Sequence, residues 1–443
     1  MIRAEILRKF KFSGRLSGSR VLNRRYLSDN LKTPLSTSSS IPPQFGSTGK
    51  DSESARVAGV YNNFLESSAD SNERLFREIT KFSHLPEQFG ANQHILIDDE
   101  LRERLRSTLW MFKAPIRYAF AYGSGVFSQG QSYTKKPQID MIFGVTYSQH
   151  WHSLNLSQYP DHYSGMRHLG SRAISVLQDR VGAGVYFNTF VEINGLVIKY
   201  GVVNIDTLCY DLLSWDSLYL SGRLHKPVKI LRDDPRVRLA NQRNLFSVIR
   251  TALLLLPETF TDVQLYETIA SISYMGDPRM KMGAENPHKV RNIVQNQKEH
   301  FYRLYAPLID NLPNIHIASG YDGISDKITL RQDMSPIPRG NMVIRLPPSF
   351  RQKLYARYTS LLSIEPNLQT PESSSDLSRL VGSEFEQLVA ADENLPKEVA
   401  RAIYHTVYWP SMTQSAKGLL TAGFSKSIKY LGEKISKNKA AKK

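Results

Sequence analysis

Residues 118–125 read YAFAYGSG, and residues 139–143 read IDMIF. The aromatic and branched residues predict two strands, separated by a Gly-Ser-Gly turn, and Asp140 is the acidic residue of the second strand. Glycines let the backbone approach a ligand closely and turn its N–H groups inward, which suits a phosphate. A carboxylate on a neighbouring strand can hold a divalent cation against that phosphate. The pattern indicates nucleotidyl transfer, and its alternative is an ordinary turn followed by an edge-strand or Arg-paired aspartate.

The segments around this stretch predict an α/β domain over residues 75–238. Leu101, Leu105, Leu109 and Phe112 share one helical face after the capping candidates Asp98 and Asp99, and Pro115 ends that helix. Farther along the chain, Asn194-Gly195 joins two β-prone runs, 187–193 and 196–203, as a hairpin. A helical stretch follows over residues 208–221. We expect a mixed sheet with helices.

A second, mainly helical domain is expected over residues 239–350. Breaks at Pro257, at Gly276-Asp277-Pro278 and at Pro287 divide its helices. The apolar run 245–256 contains Arg250 and is too short to span a membrane, so it predicts a buried helix. Short β-prone pieces at 327–330 and 342–346 follow, and helices with a small hairpin would suit a winged-helix-like domain.

The positive charge of the chain is concentrated at its two ends. The 443 residues carry a net charge of +16, of which residues 1–30 contribute +6 and residues 414–443 contribute +7. The body is therefore almost neutral, which argues against a broad nucleic-acid surface. Residues 1–27 are rich in Arg and Ser and poor in acids, as in a mitochondrial transit peptide, with a solvated arm as the alternative. Residues 28–74 have the composition of a disordered linker.

The C-terminal region, residues 351–443, ends in a predicted basic amphipathic helix. Its apolar stripe consists of Leu420, Phe424, Ile428, Leu431 and Ile435. The remaining faces carry Lys417, Lys426, Lys429, Lys434 and Lys437. Such a helix can lie in an anionic membrane surface. The alternative is a helix that docks on the protein's own core and leaves its lysines in water.

The order of these elements resembles the nucleotidyltransferase superfamily, and longer stretches resemble one family within it. The matching stretches are AYGSGVFSQ (121–129), QIDMIFGV (138–145), KYGVV (199–203), LYLSGRLHKPVKIL (218–231) and ISYMGDPRMKMGAENPHKVRNIV (272–294). They are similar to the mitochondrial phosphatidate cytidylyltransferases, or CDP-diacylglycerol synthases, of the translocator assembly and maintenance family. The resemblance covers the chain from about residue 75 to its end.

The resemblance implies a peripheral enzyme on the matrix side of the mitochondrial inner membrane. It would use Mg²⁺ to convert CTP and phosphatidate to CDP-diacylglycerol and pyrophosphate for cardiolipin synthesis. The candidate catalytic residues are Asp140, Lys199 and Asp277, with Asp140 as a magnesium ligand and Asp206 as a further carboxylate candidate. Asp277-Pro278 could instead be an ordinary turn. The candidate phosphate-binding residues are Gly123, Ser124, Gly125, Arg223, Lys226, Arg279, Glu285 and Lys289. Arg223 and Lys226 could instead be ordinary charges at a helix end.

The chain departs from the superfamily at one position. Two carboxylates usually alternate on the second strand, but Ile142 stands where the partner of Asp140 is expected. We hypothesise that phosphatidate, which is already largely ionised near neutral pH, relaxes the demand for a second carboxylate. His225 is expected to be a surface or hydrogen-bonded histidine because no second histidine lies at ligand spacing.

Two other functions fit parts of the sequence. The turn and Asp140 would suit a nucleotidyltransferase that acts on RNA or on a small molecule, although the neutral body argues against RNA. A non-catalytic scaffold for inner-membrane assembly would keep the amphipathic tail but would not need Asp140. The expected partners are CTP, phosphatidate and an anionic lipid surface, and no nucleic acid.

Overall fold

The computed structural model describes residues 88–127, 138–281, 286, 288–319, 328–362 and 382–422. The predicted transit peptide, the predicted linker, Glu285 and the C-terminal helix beyond residue 422 lie outside these described residues. The described part of the chain is mixed α/β, as predicted. It contains one five-stranded sheet, one three-stranded sheet and many helices.

The five-stranded sheet is mixed and has the strand order β3-β4-β2-β1-β5. The strands are β1 (Tyr118–Tyr122), β2 (Ile139–Val145), β3 (Val185–Ile193), β4 (Leu196–Asn204) and β5 (Lys229–Arg232). The β2–β4 pair is parallel, and the other pairs are antiparallel. The predicted hairpin is confirmed, since Asn194 and Gly195 both have positive φ (53° and 65°) between the antiparallel strands β3 and β4.

Helices cover both faces of this sheet. They are α1 (Asp99–Trp110), α2 (Ser148–Gln158), α3 (Gly170–Arg180), α4 (Ile205–Ser214) and the short α5 (Ser221–Leu224). Short 3-10 helices span Ala91–Gln93 and Pro160–Leu169. The predicted start of α1 is confirmed, because the Asp98 side chain accepts a hydrogen bond from the Leu101 N–H. Leu105 and Phe112 bury the apolar face of this segment against β2 and β4.

The predicted helical stretch 208–221 is interrupted. α4 ends at Ser214, and the chain then passes through Trp215 and Leu218, both with left-handed backbone (φ 54° and 53°), before α5 begins. The sequence carries no glycine or proline there, and the turn-favouring residues Ser214, Asp216 and Ser217 do not occupy the two left-handed positions.

The second half of the described chain is mainly helical. Its helices are α6 (Pro235–Leu255), α7 (Asp262–Ile272), α8 (Pro278–Lys281), α9 (Lys289–Asn296), α10 (Lys298–Ile309), α11 (Pro336–Ile344), α12 (Pro348–Leu362), α13 (Glu384–Ala391) and α14 (Leu395–Ala422). Strands β6 (Thr259–Thr261), β7 (Ile315–Ser319) and β8 (Thr329–Gln332) form the small sheet in the order β6-β8-β7. The buried helix predicted at 245–256 is the C-terminal part of α6. Residue 238, the predicted domain boundary, lies in the first turn of α6.

The predicted strand at 342–346 is wrong, because Met342 and Val343 belong to α11. Pro336 occupies the first turn of that helix, where its missing N–H costs nothing. Met342, Val343 and Leu346 recur at helical spacing and are buried in the main helical core. The β-strand preference of these residues is therefore overridden by a helical apolar face.

The predicted exposure of Lys417, which lies in α14, is wrong. Lys417 was expected on an exposed polar face, but its side chain is 2% exposed and donates to the backbone carbonyls of Leu177, Gln178 and Val181, at the end of α3. Leu420, by contrast, is 74% exposed. Within the described residues, no helix combines the length and apolar character needed to cross a bilayer.

Candidate active site

The Gly-Ser-Gly turn packs directly against the start of β2. Gly123 has φ 82°, and a Cβ built on it would lie 3.3 Å from Oδ2 of Asp140. A Cβ on Gly125 would lie 2.9 Å from the carbonyl oxygen of Gln138. The Gly123 carbonyl accepts hydrogen bonds from the N–H groups of Val126 and Phe127, at 3.1 and 3.0 Å, which closes the turn. Both glycines are therefore required for the close approach of this turn to the strand that carries Asp140.

Asp140 lies at the centre of the predicted residues. It is the register partner of Tyr122 on the antiparallel strand β1 and of Lys199 on the parallel strand β4. The Lys199 Nζ lies 3.6 Å from Asp140 Oδ1, and the Asp140 side chain is 31% exposed. Lys199 also lies over the Phe187 ring, 4.7 Å from its centroid. The structure thus brings the glycine turn, a partly exposed carboxylate and an ammonium group together.

Ile142 shares the sheet face of Asp140 but belongs to the core. Its side chain is fully buried in a cluster that includes Phe120 and Phe187. Its register partner on β4 is Gly201, where a Cβ would lie 2.9 Å from Ile142 Cδ1. An apolar side chain therefore fills the place where the superfamily pattern has a second carboxylate.

Arg223 contributes a cation beside Asp140 through Tyr122. It lies in the short helix α5, donates from Nε to the Tyr122 hydroxyl at 3.2 Å, and donates from Nη1 to the Tyr219 carbonyl. Its guanidinium carbon lies 3.9 Å from the centroid of the Tyr219 ring. Burial, together with the charge of Asp140, raises the pKa of Tyr122, whereas the charges of Arg223 and Lys199 lower it, and the net direction is upward. The arrangement fixes the orientation of Arg223 before any ligand binds.

Lys226 and Lys289 lie against one aromatic ring. The Lys226 Nζ is 5.0 Å, and the Lys289 Nζ 5.2 Å, from the centroid of the Tyr274 ring. Lys226 also donates to the Ser273 hydroxyl at 2.8 Å and to the Gly222 carbonyl. Burial, followed by the charges of Arg223 and Lys289, lowers the pKa of Lys226 well below its ordinary value. A buried ammonium group among other cations is favoured strongly when an anion joins it.

Arg279 and Asp277 form a bidentate pair that approaches the same cluster. Asp277 is buried, and its two carboxylate oxygens accept hydrogen bonds from the guanidinium and from the backbone N–H of Arg279. Burial and the charge of Arg279 lower the pKa of Arg223, whereas Tyr219 and Tyr122 raise it, and the net direction is upward. The preceding Gly276 fits against α14, where a Cβ would lie 2.4 Å from the Tyr404 carbonyl oxygen. This contact fixes the segment that presents Arg279.

Two predicted residues are placed elsewhere. Asp206 follows β4 and lies in the first turn of α4, where its exposed carboxylate pairs with Arg236. Because Lys199 and Asp206 are seven positions apart along an extended segment, they are separated by roughly 20 Å. The structure does not bring Asp206 to Asp140. His225 is fully buried, as a hydrogen-bonded histidine with its Nε2 3.0 Å from Asn244 Oδ1, and burial lowers its pKa to about 3.

Several contacting residues were missed by sequence reasoning. Tyr122, Tyr219, Ser273 and Tyr274 each touch one of the predicted cations. All four lie within, or directly beside, the stretches that carry the family resemblance. A tyrosine next to a glycine turn reads as an ordinary strand residue, so the residue type alone did not distinguish them.

The assembled site contains one carboxylate beside a glycine turn and a group of cations from three separate segments. Its cations are Lys199, Arg223, Lys226, Arg279 and Lys289. Within the described ranges, no group of three or more His, Cys, Asp or Glu side chains could hold a metal ion by itself. Excess positive charge, together with a turn that exposes backbone N–H groups, is typical of sites that bind polyphosphates. The described part of the chain is thus a mixed α/β protein whose site carries the kinds of groups that a phosphate ligand requires.

Comparisons with known proteins identify the family. Residues 105–437 match the family described as "Phosphatidate cytidylyltransferase, mitochondrial". Proteins with that name are similar to this chain: the one from Schizosaccharomyces pombe is 35% identical over 360 residues, which cover 79% of this chain and 87% of the relative. The Xenopus laevis protein is 38% identical over 339 residues, with 75% and 94% covered. The Saccharomyces cerevisiae protein is 48% identical over 235 residues, with 52% and 60% covered. The chain belongs to the mitochondrial phosphatidate cytidylyltransferase family.

Proposed function

We propose that this protein is an enzyme that transfers the cytidylyl group of CTP to phosphatidate. The products are CDP-diacylglycerol and pyrophosphate, and the product lipid serves cardiolipin synthesis. Membership of the family supports this reaction. The observation that carries the proposal to particular residues is the position of Asp140, between the Gly123 turn and the Lys199 ammonium group.

The glycine turn and the cations bind the triphosphate of CTP. Backbone N–H groups of the turn at Gly123, Ser124 and Gly125 donate to phosphate oxygens, and the Ser124 hydroxyl adds a further donor. Arg223 and Lys226 neutralise negative charge from α5. Because Arg223 is already held by Tyr122 and Tyr219, little of its side-chain entropy remains to be lost on binding. Arg279 and Lys289 supply charge from the segments around α8 and α9.

The residues present fit a magnesium ion that takes a single ligand from the protein. Mg²⁺ usually keeps several waters and binds through one or two carboxylates together with substrate phosphates, so a single partly exposed aspartate is sufficient on the protein side. Asp140 is the residue that would hold the ion. When bound, Mg²⁺ would neutralise charge on the triphosphate and on the developing pyrophosphate. Asp206 is too distant to take part in the same site.

The chemical step joins two anions. A phosphate oxygen of phosphatidate attacks the α-phosphorus of CTP in line, forming the new P–O bond. The bond from that phosphorus to the oxygen that bridges to the β-phosphate breaks, and pyrophosphate leaves with the electron pair. The attacking phosphomonoester has a second pKa of about 6 and needs no strong general base. The main task of the protein is therefore to neutralise and orient charge, which Lys199, Arg223 and Lys226 perform.

The protein acts as a peripheral enzyme on the matrix side of the mitochondrial inner membrane. An exposed apolar stripe on α14 supports membrane contact, and it consists of Trp409, Met412, Leu419 and Leu420. Leu420 is also the first residue of the apolar stripe that the sequence predicts for the tail. The lysines of the tail beyond residue 422 would then meet anionic headgroups.

The fold assignment is part of the same proposal. The five-stranded mixed sheet, with its turn between β1 and β2, is a nucleotidyltransferase-like domain. The helices of the second half, with the small sheet β6-β8-β7, form a winged-helix-like domain. The order of turn, acidic strand and paired parallel strand supports the first assignment.

One assay tests the function. Purified protein is incubated with phosphatidate-containing liposomes, magnesium and CTP labelled in its α-phosphate. Lipid-bound label that requires phosphatidate, and that Asp140→Asn reduces strongly, is the expected result. Incorporation of label into RNA, or into no acceptor at all, would contradict the proposal. A Lys298→Met variant, which loses a pair with Asp262 on α7, is the matched surface control.

A further inference from the structure

A buried carboxylate on α4 holds the segment that leads into α5. Asp211 is 5% exposed. Its Oδ1 accepts from the backbone N–H and the hydroxyl of Ser217, at 3.1 and 2.7 Å. Its Oδ2 accepts from the N–H of Leu220 and from the N–H and hydroxyl of Ser221, at 3.0, 2.9 and 3.0 Å. One side chain thereby receives five hydrogen bonds from three residues, Ser217, Leu220 and Ser221.

The segment that Asp211 holds has an unfavourable backbone. Trp215 and Leu218 adopt left-handed conformations with φ of 54° and 53°, and both side chains are buried. Bulky residues without glycine's freedom rarely occupy this region, and such strain persists only where the surroundings over-determine it. The five hydrogen bonds to Asp211 hold the backbone of this segment in its strained conformation.

A second anchor holds the other side of the same segment. The Asn244 side chain accepts from the Trp215 indole N–H at 2.7 Å and donates to the Ser221 carbonyl at 3.2 Å. The Tyr305 hydroxyl donates to the His225 carbonyl at 2.7 Å. The helix α5 is therefore fixed at its start by Asp211 and at its end by neutral partners.

Arg223 follows Ser221 by two residues. Its guanidinium contacts Tyr122, the register partner of Asp140, so a small movement of α5 changes the distance between this cation and the carboxylate strand. We propose that Asp211 is a positioning residue of the transferase, which acts through α5 to hold Arg223 in place. This inference rests on the proposed function for the role of Arg223.

The chemistry requires a carboxylate rather than an amide. Both oxygens of Asp211 face only donors in these contacts, so an asparagine would point its NH₂ group at an N–H or a hydroxyl. Asp211→Asn preserves the size of the side chain but replaces one acceptor oxygen with an NH₂ group, which cannot accept a hydrogen bond. The expected consequence is a shift of α5 rather than the loss of the fold.

The experiment compares Asp211→Asn with a matched control, Glu386→Gln. Glu386 is 6% exposed and likewise accepts from the N–H and hydroxyl of a serine, Ser383, but it belongs to α13. We expect Asp211→Asn to lower kcat by roughly 10- to 100-fold, since a displacement of about 1 Å at a reacting centre costs about 10²-fold. Glu386→Gln should lower the unfolding midpoint similarly and leave kcat within about 2-fold.

A double mutant separates positioning from general destabilisation. Arg223→Lys alone should lower kcat, and adding Asp211→Asn should lower it by much less than the product of the two single effects, because both act on the same cation. Ser221→Ala, which removes one of the five donors, should give a smaller loss in the same direction. If the double mutant shows the full product, or if Asp211→Asn matches Glu386→Gln in kcat, the positioning role is refuted.

A binding readout separates this inference from the proposed function. Affinity for inorganic pyrophosphate is measured by calorimetry on the same variants. Wild type that makes no CDP-diacylglycerol would overturn the proposed function. In that case, weaker pyrophosphate binding by Asp211→Asn than by Glu386→Gln would still support the positioning of Arg223, and equal binding would overturn it.

Discussion

The substitution Ile142→Asp tests whether this fold can accept a second carboxylate on the strand of Asp140. It restores the superfamily pattern in sequence, but the structure places Ile142 in the core, fully buried beside Phe120 and over Gly201. A carboxyl group there has an ordinary pKa of about 3.9 in the unfolded chain and a strongly raised pKa in the fold. Keeping it protonated at pH 7 costs about 4 kcal/mol, at about 1.4 kcal/mol per pH unit. Burial of the polar carboxyl group without a hydrogen-bond partner adds about 1–3 kcal/mol.

The total of about 5–7 kcal/mol is a large part of the stability of many domains, so we expect the free energy of unfolding at pH 7 to fall strongly. The sign of the pH dependence follows from the raised pKa of the new carboxyl. Its cost is smallest below about pH 4 and grows as the pH rises towards the raised value. Urea unfolding at pH 5 and pH 7 should therefore show an additional loss of about 3 kcal/mol at the higher pH.

Two controls complete this test. Ile142→Val should cost about 0.5–1.5 kcal/mol at either pH. Ile142→Asn introduces a polar group that does not titrate, so its cost should not change between pH 5 and pH 7. The reasoning is refuted if Ile142→Asp unfolds at the same urea concentration as Ile142→Val, or if its magnesium-dependent turnover exceeds that of wild type.

Three further predictions follow from the same contacts. Asp140→Asn should lower kcat by about 10²- to 10³-fold, while the free energy of unfolding changes by less than about 1 kcal/mol, because the ion pair with Lys199 is partly exposed. Full activity of this variant in the liposome assay would exclude a catalytic role for Asp140. Pyrophosphate binding should be accompanied by proton uptake and should weaken as the pH rises, since the lowered pKa of Lys226 returns towards its ordinary value beside an anion. Calorimetry in buffers of different ionisation enthalpy measures this uptake, and Lys226→Met should abolish it. Burial lowers the pKa of Lys417 to about 8, so this lysine makes the free energy of unfolding of the wild type rise between about pH 8 and pH 10.5, by at most about 1.4 kcal/mol per pH unit. Urea unfolding of Lys417→Met should lack that part of the rise, and identical pH profiles for the two proteins would count against a buried ammonium group.

The parts of the site that are local in sequence were predictable. The turn at Gly123 and the strand of Asp140 follow from short-range propensities, and so does the cap at Asp98. The hairpin at Asn194-Gly195 is predictable for the same reason, because two residues with positive φ identify it without knowledge of the rest of the fold.

The contacts that depend on strand register were not predictable from pattern. Lys199 reaches Asp140 because β4 pairs parallel with β2, and a parallel pair requires a crossover whose register no local signal specifies. The same register separates Asp206 from Asp140, although both residues lie at the ends of adjacent strands. The left-handed residues between α4 and α5 were also hidden, because Trp215 and Leu218 are not residue types that mark a turn.

The single carboxylate and the cation cluster can be understood as one arrangement. Gly201 has no side chain, so Ile142 and Phe187 meet above it and close the core beneath the site. A second carboxylate at this position would add negative charge next to two substrates that are already anionic. The site instead places Lys199 beside Asp140 and brings Arg223 to Tyr122 on the adjacent strand. If both substrates bind at this site as proposed, this balance of charge would lower the repulsion between them.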